Sequence, residues 1–107
     1  MNGKQLLDTL ELKTVCGSVD SFDGVYAGDL LSRAMSHVEA DNLWITIMNN
    51  MNVIAVASLT EAAAVLLAEG VELVPEALEA AKEKDICVLS SDKTVYELCA
   101  EIALKLN

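Results

Sequence analysis

The side chains that could do chemistry are few, and their spacing decides which chemistry is open. His37 is the only histidine, so any Ser-His-Asp or Cys-His nucleophilic arrangement would have to use it as base. It shares a predicted helix face with Arg33 and is not next to a nucleophile turn, which reads as a surface histidine. The three cysteines, Cys16, Cys87 and Cys99, are far apart and form no C-x-x-C pair. Two fall in predicted strands and one on an apolar helical stripe, where a thiol acts as a small core hydrophobe. No set of three or four zinc ligands can be assembled, so no metal site is expected. Both the G-x-x-x-x-G-K-[ST] phosphate loop and the G-x-G-x-x-G fingerprint are missing. Acid–base work through Asp29, His37 and Asn52 is the remaining catalytic reading. It is the least favoured, since such work needs positioned partners with shifted pKa values. The chain is expected not to be an enzyme, with no catalytic residue and no cofactor.

A binding site has more support. If the fold is an open parallel sheet, ligands lie outside the carboxyl ends of its strands. Four polar loops gather there: Gly17 to Asp29, the asparagines Asn49, Asn50 and Asn52, Glu69-Gly70, and Ser90-Ser91-Asp92. Gly24 and Gly28 would allow close backbone approach, and three of these loops lead into helix N-termini whose free amides suit an anion. Arg33, the only arginine, adds a cation one helical turn before His37. The candidate ligand-binding set is therefore Gly28, Asp29, Arg33, Asn49, Asn50, Asn52, Gly70 and Ser91. Asp20, Asp23, Asp29, Glu69 and Asp92 at the same edge oppose a phosphate, and caps and turns use the same residue types.

Composition narrows the rest. The 107 residues make one domain with a core of its own, needing no disulfide or metal staple. Apolar residues are 53% and aromatics 4%, so Leu, Val, Ile, Ala and Met must fill the core. The net charge of −10 repels phosphate backbones and argues against nucleic-acid binding. No apolar run is long enough for a membrane span, and the start Met1-Asn2-Gly3-Lys4 lacks a signal-peptide stretch. A cytoplasmic protein without membrane contact is expected.

The elements that must position these residues alternate. A helix is predicted over Gly3 to Leu10, a strand over Lys13 to Gly17, then loop from Ser18 to Gly28. Asp29 is expected to cap a helix carrying Leu30, Leu31, Ala34, Met35 and Val38, followed by a strand over Leu43 to Met48. Propensity alone makes Val53 to Ala57 a strand, but only four residues would then join it to Met48, too few for a parallel crossover. The preferred reading makes Asn52 the N-cap of a helix through Leu59, with a strand from Ala63 to Leu67. Pro75 opens a helix to about Lys84, and Ile86 to Leu89 is a buried strand. The last helix begins with a Thr94/Glu97 capping box and carries a Glu101–Lys105 pair. The expected fold is a three-layer α/β/α sandwich with a small, mostly parallel four-stranded sheet.

The run Val25-Tyr26-Ala27-Gly28-Asp29-Leu30-Leu31-Ser32, followed by Trp44-Ile45-Thr46 and Asn52 to Ala57, resembles the DRTGG-domain family over nearly the whole chain. The likeness is to its short, stand-alone members from anaerobic bacteria and archaea. The family is similar in fold to the N-terminal domains of HPr kinase/phosphatase and of Mur ligases, which implies the α/β/α sandwich and a helix over Val53 to Leu59. The family's D-R aligns with Asn49-Asn50 and its T-G-G with Ala68-Glu69-Gly70, of which only Gly70 matches. In larger members the domain sits beside CBS domains in pyrophosphatases or precedes phosphotransacetylase, where it looks regulatory and contributes to dimers. The resemblance therefore implies a homodimeric regulatory module that binds a metabolite or nucleotide, or docks on an enzyme subunit. The alternative is a ligand-free interaction subunit accessory to a redox or hydrogenase system.

Overall fold

In a computed structural model that describes residues 2–106, five strands form one sheet in the order β1-β5-β4-β3-β2. The strands are β1 (Lys13–Cys16), β2 (Val25–Ala27), β3 (Leu43–Thr46), β4 (Ala64–Leu67) and β5 (Val88–Ser90). The helices are α1 (Gly3–Thr9), α2 (Leu31–His37), α3 (Met51–Thr60), α4 (Pro75–Glu83) and α5 (Val95–Lys105). Strands β2 to β5 are mutually parallel, and β1 runs antiparallel against β5. The sheet is thus mixed and mostly parallel, as expected, but it has a fifth strand. That strand, β2, lies inside the segment read as loop from Ser18 to Gly28. Three residues bracketed by Gly24 and Gly28 carry too little pattern to register, and pairing with β3 is what makes them a strand.

Strand alternation sorts the core into two layers. Trp44, Val65, Leu67 and Val88 face one side, where they meet Ala34 of α2 and Val38 just after it, Val53, Ile54, Val56 and Ala57 of α3, and Ala77 and Ala81 of α4. Leu43, Ile45, Ala64, Leu66 and Leu89 face the other, against Leu6 of α1 and Leu98 and Ile102 of α5. The result is the expected α/β/α sandwich. In β1 the register slips between Thr14 and Cys16, a bulge that sets two residues opposite one. Both Val15 and Cys16 consequently pack with the α2–α4 layer.

The β-branched run Val53-Ile54-Ala55-Val56 is helical, as the alternation argument required. Helix α3 packs between α2 and α4, so tertiary burial outweighs its local strand preference. Its cap is Asn50, whose side chain accepts from the Asn52 amide, so the cap lies two residues before the one expected. Helix α2 also departs from expectation. Leu30 occupies its N-cap position with no side-chain bond, because the Asp29 carboxylate is engaged elsewhere. The Thr94/Glu97 box and the Glu101–Lys105 pair form as predicted.

Candidate functional site

Three of the four loops proposed as ligand contacts, and the Gly28-Asp29 end of the first, lie at the carboxyl ends of the parallel strands, where hydrogen bonds run mostly from loop to loop. The rest of the first loop does not: because β1 is antiparallel, Gly17 to Gly24 with Asp20 and Asp23 lies at the amino ends, with Gly17 against Cys87 and the Asp23 amide on the Asp41 carbonyl. The Asp29 carboxylate accepts from the Thr46 hydroxyl at 2.7 Å and the Ile47 amide at 3.0 Å, tying the end of β2 to the end of β3. Asn49 donates its side-chain amide to the Glu72 carbonyl at 2.8 Å, and its own carbonyl accepts from the Val74 amide. The Gly70 amide donates to the Ser91 carbonyl at 2.9 Å, and the Glu69 amide to that of Lys93 at 2.8 Å. Ser91 also holds the turn into α5, its hydroxyl accepting from the Lys93 amide. Gly28 bonds β3 through its amide, and its carbonyl accepts from Trp44 Nε1 at 3.1 Å. Asp29, Asn49, Gly70 and Ser91 are therefore brought together chiefly as stitches between successive βα loops, with Asn50 spent as a cap.

Arg33 and Asn52 stay exposed. Arg33 lies in the first turn of α2, one helical turn before His37. The His37 ring stacks on Tyr26 with centroids 6.3 Å apart, and its Nδ1 donates to the Arg33 carbonyl at 2.9 Å. Among the described residues no hydrogen bond joins Asp29, His37 and Asn52, and no cluster of potential metal ligands exists. All three thiols have pKa values raised by burial; Cys87 is pushed up to about 11 by desolvation, then by Cys16 and Asp85. None is a poised nucleophile.

The topology parts two of the carboxyl-end loops. From β2 to β5 the chain steps one strand at a time in one direction, with α2, α3 and α4 all on one face, so among the described residues these crossovers create no switch point. After β5 it changes face, and α5 packs on the opposite side. The loops after β4 and β5 therefore diverge, which is the condition for a binding crevice in such sheets. A cavity of about 390 Å³ lies there, lined by Lys13 and Val15 of β1, Gly70 to Leu73 of the β4–α4 loop, Leu78 of α4, Ser90 and Asp92. Val15, Val71, Leu73 and Leu78 provide apolar wall, and Ser90, Lys13, Glu72 and Asp92 provide polar groups. Lys13 Nζ sits 3.9 Å from Asp92, both well exposed. Gly70 has φ of +70°, and a Cβ on it would come within 3.2 Å of Asp92 Oδ1, so this turn is built for glycine.

Of the candidate residues only Gly70 lines this cavity. Lys13, Val15, Leu73 and Leu78 carried no signal as site residues, since β1 reaches the crevice only through non-local antiparallel pairing with β5. The match of Gly70 to the family's T-G-G turn was the one clue in the sequence; the structure ties that turn, Ala68-Glu69-Gly70, to Ser91 and Lys93 of the β5–α5 loop.

The family model for the DRTGG domain matches residues 5–104. The chain belongs to the DRTGG-domain family. No curated protein sequence matches it. Among solved structures, it is similar to the CBS and DRTGG domains of the regulatory region of Clostridium perfringens pyrophosphatase, complexed with the activator diadenosine tetraphosphate. The TM-score is 0.74 at 17% identity over 91% of this chain. At that identity the match establishes the DRTGG fold. The chain spans 44% of the pyrophosphatase region, so it matches less than half of that protein's regulatory unit.

Proposed function

We propose that this DRTGG domain is a non-catalytic regulatory module of the cytoplasm, which binds a small ligand in the β4/β5 crevice and acts as a homodimer or on a partner enzyme. The observation that carries the reading is the divergence of the β4 and β5 loops over an apolar-walled cavity of about 390 Å³. The pyrophosphatase region of similar fold is complexed with a dinucleotide activator, which makes nucleotides the first ligands to test. The carboxylates of Glu72 and Asp92 at the crevice favour contact through a nucleobase or nucleoside rather than a bare phosphate. The charge of −10 supports the exclusion of nucleic acid as partner.

One observation favours a second reading. The loops are bonded to one another and to the strand ends, as they would be in a ligand-free interaction subunit. A thermal-shift screen with adenosine, AMP, ATP, diadenosine tetraphosphate and central metabolites separates the two. A ligand at a hundred times its Kd stabilises by about 2.7 kcal/mol, and each kcal/mol raises the midpoint of a domain this size by roughly 4–8 °C. A shift lost in Leu78→Ala but kept in Arg33→Ala supports the crevice. A flat screen favours the interaction subunit.

A further inference from the structure

The two edges of the sheet are unlike. Edge strand β1 is guarded as exposed edges usually are, by Lys13 and by the bulge at Val15/Cys16 that breaks its ladder. Edge strand β2 has neither device. The Gly24 carbonyl accepts from the Leu43 amide and the Gly28 amide donates to the Ile45 carbonyl, so Gly24, Tyr26 and Gly28 turn their backbone groups toward β3. By the same alternation Val25 and Ala27 present theirs outward, and β2 pairs with no strand but β3 among the described residues. Ala27 is exposed.

A second feature says what fits. A cavity of about 360 Å³ is lined by Asp20, Ser21, Phe22, Asp23 and Asp41, and Asp23, only two residues before β2, donates its amide to the Asp41 carbonyl. Three carboxylates and no basic side chain line it, at the amino end of the open edge. The geometry points to β2 as a docking edge for an extended, basic segment of a partner protein, which adds a strand along Val25–Ala27 and places Lys or Arg over Asp20, Asp23 and Asp41. Main-chain bonds supply the register and the carboxylates supply the choice of sequence. A second copy of this chain fits less well. Each carries a charge of −10, and pairing of two three-residue strands covers far less than the roughly 800 Å² per partner of a stable interface.

The test uses the full chain labelled with nitrogen-15 and two synthetic extended peptides, one alternating Lys with Val and one alternating Glu with Val. Hydrogen exchange at the Val25 and Ala27 amides should slow by about tenfold or more with the Lys peptide and stay unchanged with the Glu peptide. Ala27→Pro removes an outward donor without touching the β3 ladder, and should weaken the Lys peptide by about tenfold while the thermal midpoint holds nearly constant. The combined Asp20→Asn, Asp23→Asn and Asp41→Asn variant should weaken it similarly, by loss of charge alone. Equal binding to Ala27→Pro, or spectral changes spread over the acidic surface, would overturn the proposal. So would protection of Val25 and Ala27 that grows with protein concentration when no peptide is present, which would give the edge to a second copy. No binding at millimolar peptide would overturn it too.

Discussion

Replacing Asp29 with alanine separates a structural tie from a ligand contact. The carboxylate holds two donors, the hydroxyl of the fully buried Thr46 and the Ile47 amide, at 2.7 and 3.0 Å. Bonds to a charged acceptor contribute roughly 1.5–3 kcal/mol each when buried. Asp29 itself is exposed and Ile47 can turn to water, so most of the loss falls on the Thr46 hydroxyl, giving about 1–2 kcal/mol in all. Trp44 is the only tryptophan and fully buried, so its fluorescence reports global unfolding in urea. With a urea dependence of about 1.5 kcal/mol/M, a loss of about 1.5 kcal/mol lowers the midpoint by ~1 M. Asp29→Asn keeps one acceptor oxygen and should lose about half as much. An Asp29→Ala midpoint within about 0.2 M of the parent would show that the carboxylate ties no loops together. The carboxylate would then be free for other use.

Three further outcomes follow from particular contacts. A Cβ on Gly3 would come within 2.1 Å of the Phe22 carbonyl oxygen, so Gly3→Ala must displace α1 from the loop beneath it; a stability loss of about 3 kcal/mol or more in urea is expected, despite alanine's better helix propensity. Glu101 is held below the usual carboxylate range by its bonds to Lys93 and then Lys105, at 2.6 and 2.9 Å. That contribution is fully present above the unfolded value of about 4.5 and is lost as pH falls through the lowered folded value. Glu101→Gln should therefore flatten the acid limb of a stability-against-pH curve below that point and leave its shape above it unchanged. The three thiols should react slowly with a disulfide reagent at pH 8, Cys99 first and Cys87 last, since Cys99 is only partly buried and Cys87 is desolvated to a pKa of about 11; rapid reaction of all three in the folded protein would contradict the burial described.

What could be read from the sequence was what depends on local pattern. The capping box at Thr94, the proline start of α4 and the helix over Val53 to Leu59 follow from short-range rules or from the need for a parallel crossover. Strand β2 was hidden because its three residues become a strand only by lying beside β3. The site was hidden for a related reason. Polar residues at strand ends look alike whether they bind a ligand or one another, and here Asp29 and Asn49 join neighbouring loops. The crevice depends on β1 returning to β5 and on α5 changing face, and both are non-local events.

Ligand binding by this domain turns on the β4/β5 crevice. The decisive measurement is an amide chemical-shift titration of the labelled protein with the strongest ligand from the thermal screen, beginning with adenosine and diadenosine tetraphosphate. The predicted result is saturable change centred on Gly70 to Leu73, Leu78 and Ser90 to Asp92, with α2 and β2 undisturbed. Saturable change centred instead on Arg33, His37 and the Asn49–Asn52 loop, or none with any ligand, would contradict it.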